Sequence, residues 1–283
     1  MLTSLRNIAV FLDDTPESRK LGDYAAELAR RHGAHLIGIY GINHAEGEHP
    51  EHSYARGSQA IAEMLVRHKS IDGERILAAG RHFGELSRAY DLSAEFRVIW
   101  NDRAREDIAL HSLHCDLVVV GHPKPHGMPG GWSPDRLLRT SGVPVLIVPD
   151  RKAADGVGDN VLVAWNASRE ARRAMTDALP FIVTAKAVTI LVIDASKGTH
   201  HYGEEPGADV ALHLARHGAH VKVEQVSSEG VPIAEVILSH AAKHGTDLIV
   251  AGARSHARST ELIFGGVTRT LLAQLTVPLL TSR

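Results

Sequence analysis

Near the end of the chain Gly252, Arg254 and Ser255 are followed, after nine more residues, by Gly265, Gly266, Val267 and Thr268. The apolar run before Gly252 reads as a strand, and Val267, Leu271, Leu272 and Leu275 recur at helical spacing. A loop that enters a helix through glycines offers backbone N–H groups with no side chain in front of them, and such a helix start is an anion site. Phosphate suits it, with Arg254 and His256 either neutralising its charge or staying solvated. The other reading of these glycines is a tight turn and close packing of helix on strand.

Histidine is the second source of chemistry. There are 19 His in 283 residues, 11 of them in residues 1–150. His44, His49 and His52 stand among Glu46, Glu48 and Glu51, a mixture of imidazole and carboxylate that suits zinc but is also the composition of a solvated acidic loop. His200 and His201 repeat this weakly, and His111 and His114 flank Cys115 on one side. His32, His68, His217 and His244 fall in last turns of helices, where an imidazolium favours the dipole and needs no function. Cys115 reads as a small buried residue or, alternatively, a reactive thiol. The sequence contains no nucleophile elbow, no paired carboxylates at a plausible site, and no acid at a strand end near Gly265 to hold magnesium. The expectation is therefore no catalytic residue, no assigned metal site, and at most a weak ATPase.

Composition narrows the partners. The 31 Lys+Arg against 33 Asp+Glu are spread without blocks, so neither nucleic acid nor a membrane surface is expected. A single cysteine makes no internal disulfide and no cysteine-built zinc cage. No stretch reaches the roughly 18 apolar residues of a membrane span, and the apolar run 8–12 is short for a signal segment. A cytoplasmic chain is the expectation.

The elements that must position these residues come in two copies. DLVVVG at 116–121 reads like DLIVAG at 247–252, and each is followed by a loop and a closing Val-Pro strand, at 143–148 and 277–280. The starts match as well: the strand at 8–12 ends at Asp13, the strand at 161–165 at Asn166. Residues 150–159, charged and glycine-containing, read as a linker between domains 1–150 and 151–283. In the first half Thr15 caps a helix that Gly33 ends. A strand at 35–40, a long helical region at 57–90, a strand at 96–100, a helix carrying Ile108 and Leu113, and a strand at 117–120 follow. In the second half Ser168 caps a helix whose face runs through Ala171, Ala174, Met175, Ala178 and Ile182. Later strands lie at 187–193, 220–226 and 248–251, with helices at 208–217 and 233–244 between them. Apolar strands alternating with amphipathic helices give an α/β fold: two tandem, open, doubly wound parallel-sheet domains. Ligands in such domains sit beyond the carboxyl ends of the strands.

Loop, closing strand and twofold repeat together resemble the universal stress protein family in its tandem form, over essentially the whole chain. The resemblance implies the adenine nucleotide alpha hydrolase-like fold, a stress-response role, and an adenine nucleotide such as ATP held by Gly-x2-Gly-x9-Gly-[Ser/Thr]. Here Gly252 and Gly265 keep their places, Ser255 replaces the second glycine, and Gly266 stands where Ser or Thr is expected, with Thr268 near enough to offer a hydroxyl. The family's nucleoside-binding aspartate falls on Asn166, whose amide oxygen can accept a ribose hydroxyl, though more weakly than a carboxylate. The implied site is Asn166, Gly252, Arg254, Ser255, Gly265, Gly266, Val267 and Thr268, one per chain. The first half keeps Asp13, but its loop is proline-rich, and Ser133, Pro134 and Asp135 already cap the helix that follows. It is expected not to bind a nucleotide triphosphate. Family resemblance also implies a pseudo-twofold pairing of the domains and a homodimer. The competing reading is a scaffold in which both sites are relics, the chain acting through its surfaces, another small ligand or a metal at residues 44–52.

Overall fold

The computed structural model describes residues 4–13, 15–43, 54–68, 73–101, 111–122, 137–138, 140–149, 157–198, 202, 204–253 and 265–283. The chain divides into two compact units, Ser4–Val145 and Leu146–Arg283.

In the first unit β1 (Asn7–Leu12) is followed by α1 (Pro16–His32), β2 (His35–Asn43), β3 (Tyr54–Arg56), α2 (Ser58–His68), α3 (Gly73–Ala89), β4 (Ala94–Asn101) and β5 (Leu117–Gly121). Their order across the sheet is β3-β4-β2-β1-β5. All neighbours are parallel except β3, which pairs antiparallel with β4 through Ala55 and Val98. Ile8, Ala9 and Val10 are fully buried, as expected of a strand covered on both faces. Thr15 caps α1 by accepting from the Ser18 N–H at 3.2 Å, and Gly33 ends it at φ 60°, where a side chain is strained. Phe83 of α3 lies so close to Gly38 of β2 that a Cβ there would stand 2.7 Å from the ring.

Three expectations are corrected here. The single helical region 57–90 is two helices, with residues 69–72 outside the described residues. The edge strand β3 was not expected, because three residues give no periodicity to read. Residues 111–114, placed at the end of a helix, form a turn.

The strand β6 (Val145–Val148) spans the boundary between the units. The second unit then runs β7 (Asn160–Trp165), α4 (Arg169–Asp177), α5 (Leu179–Ile182), β8 (Ala187–Ile193), a short 3-10 turn (Ala195–Gly198), α6 (Ala208–Arg216), β9 (Val221–Val226), α7 (Ile233–Lys243), β10 (Leu248–Gly252), α8 (Gly266–Ala273) and β11 (Leu279–Ser282). Its strands are ordered β11-β10-β7-β8-β9 and pair in parallel. The helix expected from Ser168 to Ile182 is broken at Ala178. Pro180 has no N–H for the carbonyl four residues back, so the ladder stops and restarts as α5.

The repeated aspartates explain their own recurrence. Asp116 accepts from the N–H groups of Arg6 at 2.7 Å and Asn7 at 2.9 Å, pinning the entry to β1. Asp247 does the same for β7, accepting from Gly158 at 3.1 Å and from Asp159 and Asn160 at 3.0 Å. Asp247 is 6% exposed, and burial raises its carboxyl above the usual carboxylate value despite these donors. Asp247→Ala strands three backbone donors at a buried position. It is expected to destabilise the chain by about 2–3 kcal/mol, measured as a lower midpoint in urea unfolding.

Candidate functional site

The carboxyl ends of β7 and β10 lie side by side, since Ala164 pairs with Ala251. This puts Asn166 and Gly252, expected members of one site, just beyond adjacent strand ends.

Asn166 is exposed and followed by Ala167 in the left-handed region at φ 55°. Its side chain is already engaged. Asn166 Oδ1 accepts from the Ser168 N–H at 3.2 Å and from the Ser168 hydroxyl at 2.7 Å, while that hydroxyl accepts from the Ala171 N–H at 3.1 Å and caps α4. The first half has the same device: Asp13 Oδ1 accepts from the Thr15 N–H at 2.8 Å and from its hydroxyl, and Thr15 caps α1. So the polar residue after the first strand of each half serves the helix cap. In Asn166 the amide oxygen assigned to the ribose is therefore shared with Ser168, and the amide NH2 is its other ligand-binding group.

Gly252 is required by packing. A Cβ there would stand 2.4 Å from the backbone of both Glu170 and Ala171, because the first turn of α4 rests directly on it. Among the described residues its counterpart Gly121 is not so constrained, its Cβ meeting Leu21 Cδ2 at 3.7 Å. Beyond Gly252, Ala253 donates to the Ser282 carbonyl at 2.8 Å. Arg254 and Ser255 lie outside the described residues, as do the histidines at 44–52, His200, His201, and the cap at 133–135.

The chain re-enters at Gly265, the N-cap of α8, with φ -61° and ψ 163°. Among the described residues no side chain caps this helix, in contrast to the hydroxyl caps of α1 and α4. Among the described residues nothing lies within 4 Å of where a Gly266 Cβ would stand, and Val267 is 41% exposed. Because β10, α8 and β11 form one crossover between parallel strands, the start of α8 faces the carboxyl-end side. Thr268 is 5% exposed. Its N–H is among the first donors of α8.

In the first half Asp13 borders a cavity of about 180 Å³ lined by Arg19, Arg75, His82 and Phe83, among others. Cys115 is 8% exposed, and burial pushes its thiol up to about 12. It is expected to resist a thiol reagent at pH 8 in the native protein and to react fully once the chain is unfolded in guanidinium; rapid native labelling would contradict the burial argument.

One titratable cluster falls outside every expectation: Glu224 of β9 with His240 and His244 on or next to α7. The His-x3-His spacing was the available signal, but its carboxylate comes from another element.

The family model for universal stress proteins matches the chain twice, at residues 4–149 and 159–283. A universal stress protein from Archaeoglobus fulgidus DSM 4304 is similar in structure over 98% of this chain and 98% of its own, with TM-score 0.68 at 18% identity. A functionally unknown protein from Pseudomonas aeruginosa PAO1 is similar over 99% of this chain and 93% of its own, with TM-score 0.60 at 17% identity. These two likenesses concern the fold. A search of curated proteins gave no match. Among the described residues no helix is long and apolar enough to cross a membrane.

Proposed function

This chain belongs to the universal stress protein family, in tandem form, and from that premise we propose that it is a cytoplasmic stress-response regulator that binds one adenine nucleotide, ATP or a relative, in its second half. The observation that carries the reading is the start of α8, which has a glycine at the N-cap, no side-chain cap among the described residues, and a second glycine behind it. The first N–H groups of a helix need acceptors, and a phosphate there gains both the hydrogen bonds and the positive end of the dipole. Gly265, Gly266, Val267 and Thr268 then hold phosphate through their backbone, with Arg254 and Ser255 on the loop before them. Asn166, exposed beyond β7, faces the nucleoside and uses its amide group. The reading gives the chain no catalytic role beyond weak ATPase activity, because the sequence sets no acid at a strand end near Gly265 to hold magnesium.

A second reading, the scaffold with relic sites, draws on two observations: α4 packing alone accounts for Gly252, and Ser168 already uses the Asn166 oxygen. Calorimetric titration of the folded chain with ATP separates the two. One site per chain is expected; no heat at millimolar ATP, with folding verified by circular dichroism, would leave the scaffold.

A further inference from the structure

We propose that Glu224, His240 and His244 form a binding site for one divalent first-row transition metal ion, zinc being the probe of choice. The helix supplies two ligands and an edge strand the third. Residues four apart share a helix face, and the His240 and His244 rings are stacked, with centroids 4.3 Å apart and planes at 25°. Glu224 reaches them from β9, its Oε2 lying 2.7 Å from His240 Nε2. One ligand atom from each of the three lies within 4.8 Å of the other two. Ligands about 2.0 Å from a tetrahedral zinc stand about 3.3 Å from each other, so the His240–Glu224 pair opens by about half an ångström as the ion enters between them.

The surroundings fit this set. Lys222 Nζ holds the other carboxylate oxygen, Glu224 Oε1, at 2.6 Å, leaving Oε2 to the ion and acting as the kind of outer partner that orients ligating carboxylates. His240 is 9% exposed, which fixes its ring against the sheet, and among the described residues its Nδ1 has no hydrogen-bond partner. As the ion takes Nε2 the ring keeps one proton, on Nδ1: a neutral ring moves its Nε2 proton there, and an imidazolium releases it to solvent. His244 is exposed, which opens the remaining coordination positions to water. The same spacing recurs at His213 and His217, with ring centroids 4.8 Å apart, yet among the described residues no third ligand completes that pair.

The test uses the full chain freed of metal by chelator and dialysed against zinc chloride, with bound zinc read by elemental analysis. The proposal expects one zinc bound per chain at this site, weakened at least about tenfold in both His244→Ala and Glu224→Gln. Because His244 is exposed, its removal leaves the fold intact, which circular dichroism checks. A double variant His49→Ala with His52→Ala is expected to keep the site. Unchanged zinc affinity in His244→Ala and Glu224→Gln, or loss of binding in the loop variant alone, would overturn the proposal.

Discussion

Gly252→Ala is expected to destabilise the second unit by about 2–4 kcal/mol, lowering its thermal midpoint by about 5–15 °C. The methyl group would stand 2.4 Å from the backbone of Glu170 and Ala171, and no side-chain rotation relieves a clash with backbone. Either α4 lifts from β10 or the strand end shifts, and each loses buried contacts made by Ala171, Ala174 and Met175. Gly121→Ala is the internal control. Its methyl meets a side chain at ordinary contact distance, so a change within about 1 kcal/mol is expected. Equal effects of the two substitutions in guanidinium unfolding would contradict the packing argument.

The second large effect concerns binding rather than stability. Gly265→Asp is expected to weaken ATP binding at least about 100-fold, or about 2.8 kcal/mol, while leaving the protein as stable as before or more so. Gly265 is the N-cap of α8 with ordinary extended dihedrals. Aspartate is a preferred N-cap residue there, its carboxylate taking the first-turn N–H groups and meeting the dipole favourably. Those are the donors a phosphate needs, and the added charge repels it. Because the substitution stabilises the helix, lost binding cannot be ascribed to unfolding. Unchanged affinity would move the phosphate away from α8.

Much of this was legible from residue types. The Asp–Leu–Val/Ile repeats marked two copies of one unit, and the structure supplies the reason for the aspartates, which pin the backbone entering β1 and β7. Thr15, Ser168 and Gly33 announced helix ends because capping is local chemistry. Pro180 carried the break between α4 and α5 in plain view, but the apolar face running through Ala178 to Ile182 hid it. β3 left no trace, since its pairing with β4 is set by tertiary contacts. At the candidate site, glycine spacing identified the loop but not the role of each glycine. Gly252 and Gly265 look alike in sequence; one is held by a helix resting on it, the other opens a helix start. Which way the Asn166 oxygen turns depends on Ser168, two residues on, and the same pattern at Asp13 and Thr15 was there to be read. Glu224 and His240 are 16 residues apart, and only the crossover from β9 into α7 brings them together.

The most direct test of the nucleotide reading is to photo-crosslink the intact chain with an azido-adenine analogue of ATP and map the labelled peptides by mass spectrometry. The expected result is label competed away by ATP and confined to the second half, around Asn166 and the segment entering α8. Label on the Asp13 half, or label that excess ATP does not displace, would contradict it.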